Sequence, residues 1–432
     1  MISPSPPLSP DASMFAAFVG LDWADQKHDL MLYDQRGGKP EHCQLTHTPE
    51  AIDEWACGLR QRFGGRMIAV CFEQTHGAIA YALLKYDFLV LFPLPPSRLA
   101  AYRESFSNSG AKDDPSDAAL LLDYVLRHRD QLRAWQPDTP ATREIQMLAE
   151  ARRDAVDQRT RLSNQLTAVL KRYFPQALLL VGSDIDTPLA CDFLAKWPTL
   201  AAVQAAAPTT LRKFYYAHSC RSEERIAERL QLAKSAIPLT NDLALIQAGK
   251  LQVQCLIGQL RALHKAIHSY ECRLNELMDE HPDAALFLAL PGAGPALAPR
   301  LLVAFGSDRE RFQDASDLQS LSGVAPVTKR SGKTRTVQRR WACPKFLLQT
   351  FHEFASCSYK KSAWAKAFYL QQRSIGKGHH ATLRSLAFKW VRILFRCWKT
   401  RTPYSEQHYL QQLQRRHVPL LAFLEPATET GA

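Results

Sequence analysis

No apolar run in this 432-residue chain approaches the roughly 18 residues needed to cross a bilayer; the densest, FLVLFPLP from Phe88 to Pro95, is far too short. The opening MISPSPPLSPDAS has neither the basic n-region nor the apolar h-region of an export signal, and it reads as an unstructured tail. The ten cysteines contain no CxxC pair, so neither a zinc site nor a disulfide framework is indicated, and most read as small buried hydrophobes. No repeat of fixed period appears beyond heptads. These absences exclude membrane-spanning, disulfide-stapled and zinc-finger proteins, and they lead to the expectation of a cytoplasmic protein with no membrane partner.

What is present is ordinary in amount and unusual in placement. A hydrophobic content of 46% and a charged content of 22% fit a folded chain of two to four domains. The net charge of +12 is unevenly spread. Residues 1–140 hold 13 Lys and Arg against 18 Asp and Glu, residues 141–290 hold 18 against 16, and residues 291–432 hold 23 against 8. Clustered cations neutralise phosphates and release counterions, so the last third reads as the seat of a polyanion, nucleic acid above all. The acidic front needs its own explanation.

The front predicts an α/β domain with a mixed sheet over 14–136. Its signals are a hairpin from Phe15 to Tyr33, a third strand near Cys43 to Thr46, and a helix from Pro49 to Phe63. Buried strands follow, ending at Glu73 and spanning Phe88 to Leu94, and a last helix runs over 115–129 with Pro115 in its first turn. Pro137 and Pro140 mark the boundary. A helical region, 140–285, has heptad-like spacing from Ile145 to Tyr173 and again from Ile246 to Leu277, around an irregular insert at 175–240. This seam is either an antiparallel hairpin within one chain or a dimerisation arm. Mostly helical patterns continue over 286–405, and 406–432 is a tail.

Four acids stand out by position. Asp22 and Glu73 end strands, and Asp114 and Asp117 lie three apart on one face at a helix start. Carboxylates so gathered suit hard divalent cations, which keep sites open for phosphate oxygens, although each is also an ordinary solvated or capping acid when taken alone. In VTKRSGKTRTVQRR, Ser331 sits among Lys329, Arg330, Lys333, Arg335, Arg339 and Arg340. Cationic surroundings favour an alkoxide and hold a phosphate; equally, the segment reads as a basic loop with Ser331 filling a turn. Gly292 and Gly294 in PGAGP precede an apolar helix, either as a phosphate-binding N-terminus or as a tight turn. Aromatics interleaved with cations, such as Trp364 near Lys366 and Trp390 near Lys389, are base-stacking groups or, at helical spacing, core.

Taken in order, these segments resemble the DEDD transposases of bacterial insertion-sequence family 110, relatives of the Piv DNA invertase. VGLDWADQKHDL, the strand-terminal Glu73 and AKDDPSDA carry the match in front; LPGAGPALAPRLLVAFG through VTKRSGKTR, and the basic helices to FRCW, carry it behind. The resemblance implies a RuvC-like RNase H fold whose Asp22, Glu73, Asp114 and Asp117 bind Mg²⁺, with Mn²⁺ as a substitute. It also implies a helical transposase domain with Ser331 as nucleophile. Asp113 departs from the family pattern, and Asp114 is preferred for its spacing to Asp117. The implied activity is site-specific DNA recombination by phosphodiester cleavage and rejoining. The implied partners are the element's DNA, a structured non-coding RNA that selects sites by pairing, and further copies of the chain in a dimer or tetramer joined by the coiled coil. Two rival readings remain: a metal-only nuclease of the Holliday-junction resolvase type, and a non-enzymatic nucleic-acid scaffold.

Overall fold

The structure is a computed structural model and describes residues 14–73, 78–106, 114–332 and 334–424, the side chains of 114–116 excepted. It divides into two compact units between Pro137 and Asp138.

In the first unit β1 (Ala17–Asp22), β2 (Lys27–Asp34), β3 (Glu41–Thr46), β4 (Ile68–Phe72) and β5 (Leu89–Pro93) form one sheet in the order β3-β2-β1-β4-β5. The first three strands run antiparallel, and β4 and β5 run parallel to β1, so the sheet is mixed. Four helices, α1 (Pro49–Arg62), α2 (Ala78–Leu83), α3 (Pro96–Glu104) and α4 (Asp114–His128), complete it. Period-2 alternation sends Ala17, Val19, Leu21 and Ile68, Val70, Phe72 into the core under α1 and α2. Phe18, Ala69 and Cys71 go to the opposite face, against Leu121, Leu122 and Val125 of α4.

The second unit is built on two long helices, α5 (Pro140–Tyr173) and α11 (Leu243–Glu280). They run antiparallel along one another: Tyr173 covers Gly249 at one end, and Arg273 pairs with Glu144 at 2.8 Å at the other. The apolar seam of α11 is thus covered from within the chain, as the antiparallel-hairpin reading expects. Arg152 and Arg159, which interrupt the heptads of α5, form ion pairs with Glu271 and Asp186. Between the long helices α6 (Ala177–Val181), α7 (Pro188–Lys196), α8 (Leu200–Gln204), α9 (Pro208–Ala217) and α10 (Glu223–Ser235) close around a core of their own.

Then come α12 (Ala284–Leu288), α13 (Gly294–Phe305), α14 (Ala315–Leu321), the paired strands β6 (Val327–Ser331) and β7 (Thr334–Gln338), and α15 (Lys345–Ser358), α16 (Ala363–Ser374), α17 (His379–Thr400) and α18 (Glu406–Arg415). Trp364, Trp390 and Trp398 are wholly buried, so the aromatics interleaved with cations are core.

Two expectations are corrected. Only Cys71 and Cys191 of the ten cysteines are buried, because most of the others lie on outward faces of helices and strands. The segment around Ser331 is neither helix nor irregular loop but a β-hairpin. No helix among the described residues is long and apolar enough to cross a membrane.

Candidate functional site

Strand register brings two acids of the first unit side by side. Leu21 of β1 stands beside Phe72 of β4 in parallel, so Asp22 and the next residue of the other chain segment, Glu73, emerge side by side at the carboxyl edge of the sheet. Asp22 shares the parity of Phe18 and Glu73 that of Cys71, which places both on the α4 face.

Gly20 decides how near α4 comes. A Cβ there would lie 2.1 Å from the Ala118 carbonyl oxygen and 2.4 Å from the Leu122 nitrogen, so only glycine admits the helix backbone. Asp117, the residue before Ala118, is thereby pressed down near the strand ends and is only 2% exposed. Its Oδ1 accepts from Arg103 Nε at 2.9 Å and from a second nitrogen of the same guanidinium, which counter-charges the buried carboxylate. Asp114 opens α4 one turn earlier. Its side chain, and the whole of Asp113, lie outside the described residues.

A further acid belongs to this face. Asp29 of β2 is directly opposite Asp22 in the antiparallel ladder, and cross-strand partners point the same way. It is 7% exposed and accepts from His42 Nε2 at 3.0 Å and Gln44 Nε2 at 3.2 Å. The sequence reading passed over it because one acid after Lys27-His28 looks like the polar start of a strand. Its seven-residue spacing from Asp22 across a short turn was the available signal.

On the other face His28 is wholly buried; its Nδ1 accepts from the Ala24 N–H at 3.1 Å, so Nε2 carries the proton toward His47 Nδ1 at 2.8 Å. Burial, then the neighbouring His47, pull its pKa down to about 4. This pair pins the turn that follows Asp22.

Among the described residues no three His, Cys, Asp or Glu side chains close into a ready metal cage. The acids on the α4 face each offer carboxylate oxygen, the donor type that a hard divalent cation takes, and Arg103 counter-charges Asp117.

In the second unit, Ser331 ends β6 at the tip of the hairpin, exposed, beside Gly332, whose φ of 54° favours glycine. Lys329, Arg330, Arg335 and Arg339 are exposed and Arg340 half-buried, its Nε donating to the Ala325 carbonyl at 3.4 Å. Lys333 lies outside the described residues. Arg330 and Arg335 stand directly opposite one another, a like-charge cross-strand pair that costs stability unless an anion neutralises it. Gly292 adopts φ 80° with no room for a Cβ, which would lie 2.8 Å from the carbonyl carbon of Cys357, so packing alone requires this glycine. Gly294 takes φ 55° and opens α13.

Comparison with known proteins now adds what geometry alone does not. Residues 19–175 match the DEDD model of the IS110 group, described as a transposase. Residues 284–370 match the model described as transposase, IS116/IS110/IS902 family. The putative mini-circle transposase for IS117 of Streptomyces coelicolor is 29% identical over 410 residues, covering 94% of this chain and 97% of its own length. An IS110 protein of 43.6 kDa from the same organism is 24% identical over 403 residues, with 92% and 97% covered. The IS900 protein of 42 kDa from Mycobacterium paratuberculosis is 23% identical over 387 residues, with 88% and 94% covered. Both matched regions are transposase regions. The chain thus carries a DEDD transposase region of the IS110 group and a transposase region of the IS116/IS110/IS902 type, and over most of its length it is similar to IS117 and IS110 insertion-sequence proteins.

Proposed function

We propose that the chain is a DNA recombinase that moves its element by a serine-linked exchange of phosphodiesters. The observation that supports this reading is the parallel pairing that sets Asp22 and Glu73 at neighbouring carboxyl ends of β1 and β4, on the face that α4 covers, with Asp117 buried on α4. The exposed Ser331 on a cationic hairpin supports it.

Asp22, Glu73, Asp114 and Asp117 would hold Mg²⁺ or Mn²⁺, and Asp29 adds a further carboxylate opposite Asp22. Such a cation supplies Lewis-acid polarisation of a phosphate oxygen. Arg103, which counter-charges Asp117 here, would be free to release it with such a cation in place. Ser331 Oγ attacks phosphorus as the bond to the departing strand oxygen breaks; its proton passes to solvent, a loss that the surrounding Lys and Arg favour, and the departing oxygen takes a proton from solvent. The serine ester conserves the bond energy for rejoining to a new strand end. Lys329, Arg330, Lys333, Arg335, Arg339 and Arg340 hold the phosphates. A homo-oligomer and a structured guide RNA complete the proposal; both come from the family resemblance.

The test is a cleavage assay on element-end DNA with Mg²⁺, resolved on denaturing gels for a protein–DNA adduct. The native chain forms the adduct and Ser331→Ala does not. Full strand cleavage by Ser331→Ala would instead support the metal-only nuclease, with water as nucleophile.

A further inference from the structure

Trp341 is 78% exposed, directly after the hairpin, and the Arg339 guanidinium carbon lies 4.5 Å from its ring centroid. An indole this exposed keeps most of its ring surface available to another molecule. Its backbone is not adrift. The neighbouring Arg340 donates to the Ala325 carbonyl, and Cys343 packs where Gly323, at φ 74°, leaves room, so the loop is anchored while the indole projects. Arg339 covers one face of the ring by a cation–π contact, which fixes its orientation and leaves the rest open.

The surroundings say what the partner carries. Between Asp317 and Glu353 there is no acid, against seven Lys and Arg. Arg384 of α17 adds a further cation close to Arg339, a like charge that helps lower its pKa after burial. An aromatic face in a wholly cationic field suits a group that is flat and apolar on its faces and joined to phosphates, which is a nucleobase outside a duplex. In a duplex, base faces are already stacked on one another and cannot reach the ring.

We propose that Trp341, backed by Arg339, is a stacking platform for an unpaired base of a single strand whose phosphates lie along the β6–β7 hairpin. This rests on the reading that the second unit handles nucleic acid. It adds which form is bound there and by which residue. The same chemistry is offered by an opened DNA strand and by an RNA, and the test separates them.

Full-length native chain, Trp341→Ala, Trp341→Phe and Arg330→Ala/Arg335→Ala are titrated by fluorescence anisotropy with short oligothymidylate, oligouridylate and a DNA duplex. Thermal melts verify that each variant folds. Trp341→Ala weakens single-strand binding by about 5- to 100-fold and duplex binding less than about twofold; Trp341→Phe keeps most of the affinity. The larger loss, on oligothymidylate or on oligouridylate, identifies the strand. Quenching of tryptophan emission on strand binding is smaller in Trp341→Phe than in the native chain. If Trp341→Ala binds single strands as the native chain does while Arg330→Ala/Arg335→Ala binds weakly, stacking is overturned and the nucleic-acid reading survives. Equal losses on strand and duplex also overturn stacking. If the native chain binds none of the three probes, both readings fall.

Discussion

The acidic face of the first unit and the basic hairpin of the second are held in opposite ways. Asp22, Asp29 and Asp117 are set by strands with both faces covered and by a helix that touches the sheet backbone at Gly20. Ser331 and its cations stand on two exposed strands, one cross-strand pair of which, Arg330 and Arg335, repels itself. A two-stranded ribbon is marginal by itself. The positions of these acids are therefore fixed by the fold of the first unit, whereas the hairpin would gain much of its order from a bound polyanion. Each prediction below strains one side of this contrast.

The largest effect is expected at the acidic face. Asp22→Asn keeps the size and the strand but removes a charge, so cleavage of element-end DNA falls by roughly 10²–10³-fold while the thermal melt is nearly unchanged. An Asp22→Asn protein that still recombines a two-plasmid substrate at native rate removes the catalytic assignment of this face. Gly20→Val comes next, because its Cβ meets backbone, not a flexible side-chain end. Overpacking against a helix backbone destabilises by about 3 kcal/mol, read as a lower urea midpoint. A midpoint equal to the native one would show that α4 does not need this close approach.

How far these sites were legible follows from the same contrast. The strands of the first unit alternate or run apolar because they are buried, so hairpin, strand ends and α4 could be read from residue order, and Asp22 and Glu73 with them. Asp29 was not, since its meaning lies in register with Asp22, and register is a property of pairing. The His28–His47 contact joins positions 19 apart on different strands for the same reason. The β6–β7 hairpin reads as loop in the sequence because VTKRS and TRTVQ have no buried face and so no hydrophobic alternation. Its signals were β-branched residues flanking Gly332, which the density of cations obscured.

A pH titration tests how rigidly the turn after Asp22 is pinned. His28 has its pKa lowered to about 4 from an ordinary 6.5 by burial and by His47, with Asp29 opposing. The unfolded chain therefore takes up a proton below pH 6.5 that the folded chain refuses until about 4. Stability contributed by neutral His28 is present above 6.5 and is lost as pH falls through that window, by about 2–3 kcal/mol. His28→Gln, which keeps a donor and an acceptor, removes this component. The difference in urea stability between native chain and variant then shrinks from neutral pH to pH 4, and a difference that stays constant counts against the buried neutral pair.

The smallest effect separates the two sites most sharply, because it carries opposite signs in two measurements. Arg330→Gln relieves the repulsion with Arg335 and should steady the hairpin by a few tenths of a kcal/mol, seen as slower hydrogen exchange of the β6 and β7 amides. The same change removes a phosphate contact, so the slope of log affinity against log salt falls by about 0.7–0.9 for one lost contact. If Arg330→Gln instead speeds exchange and leaves the salt slope intact, the hairpin is held by its own contacts as the acidic face is, and the contrast between a built site and a ligand-ordered one fails.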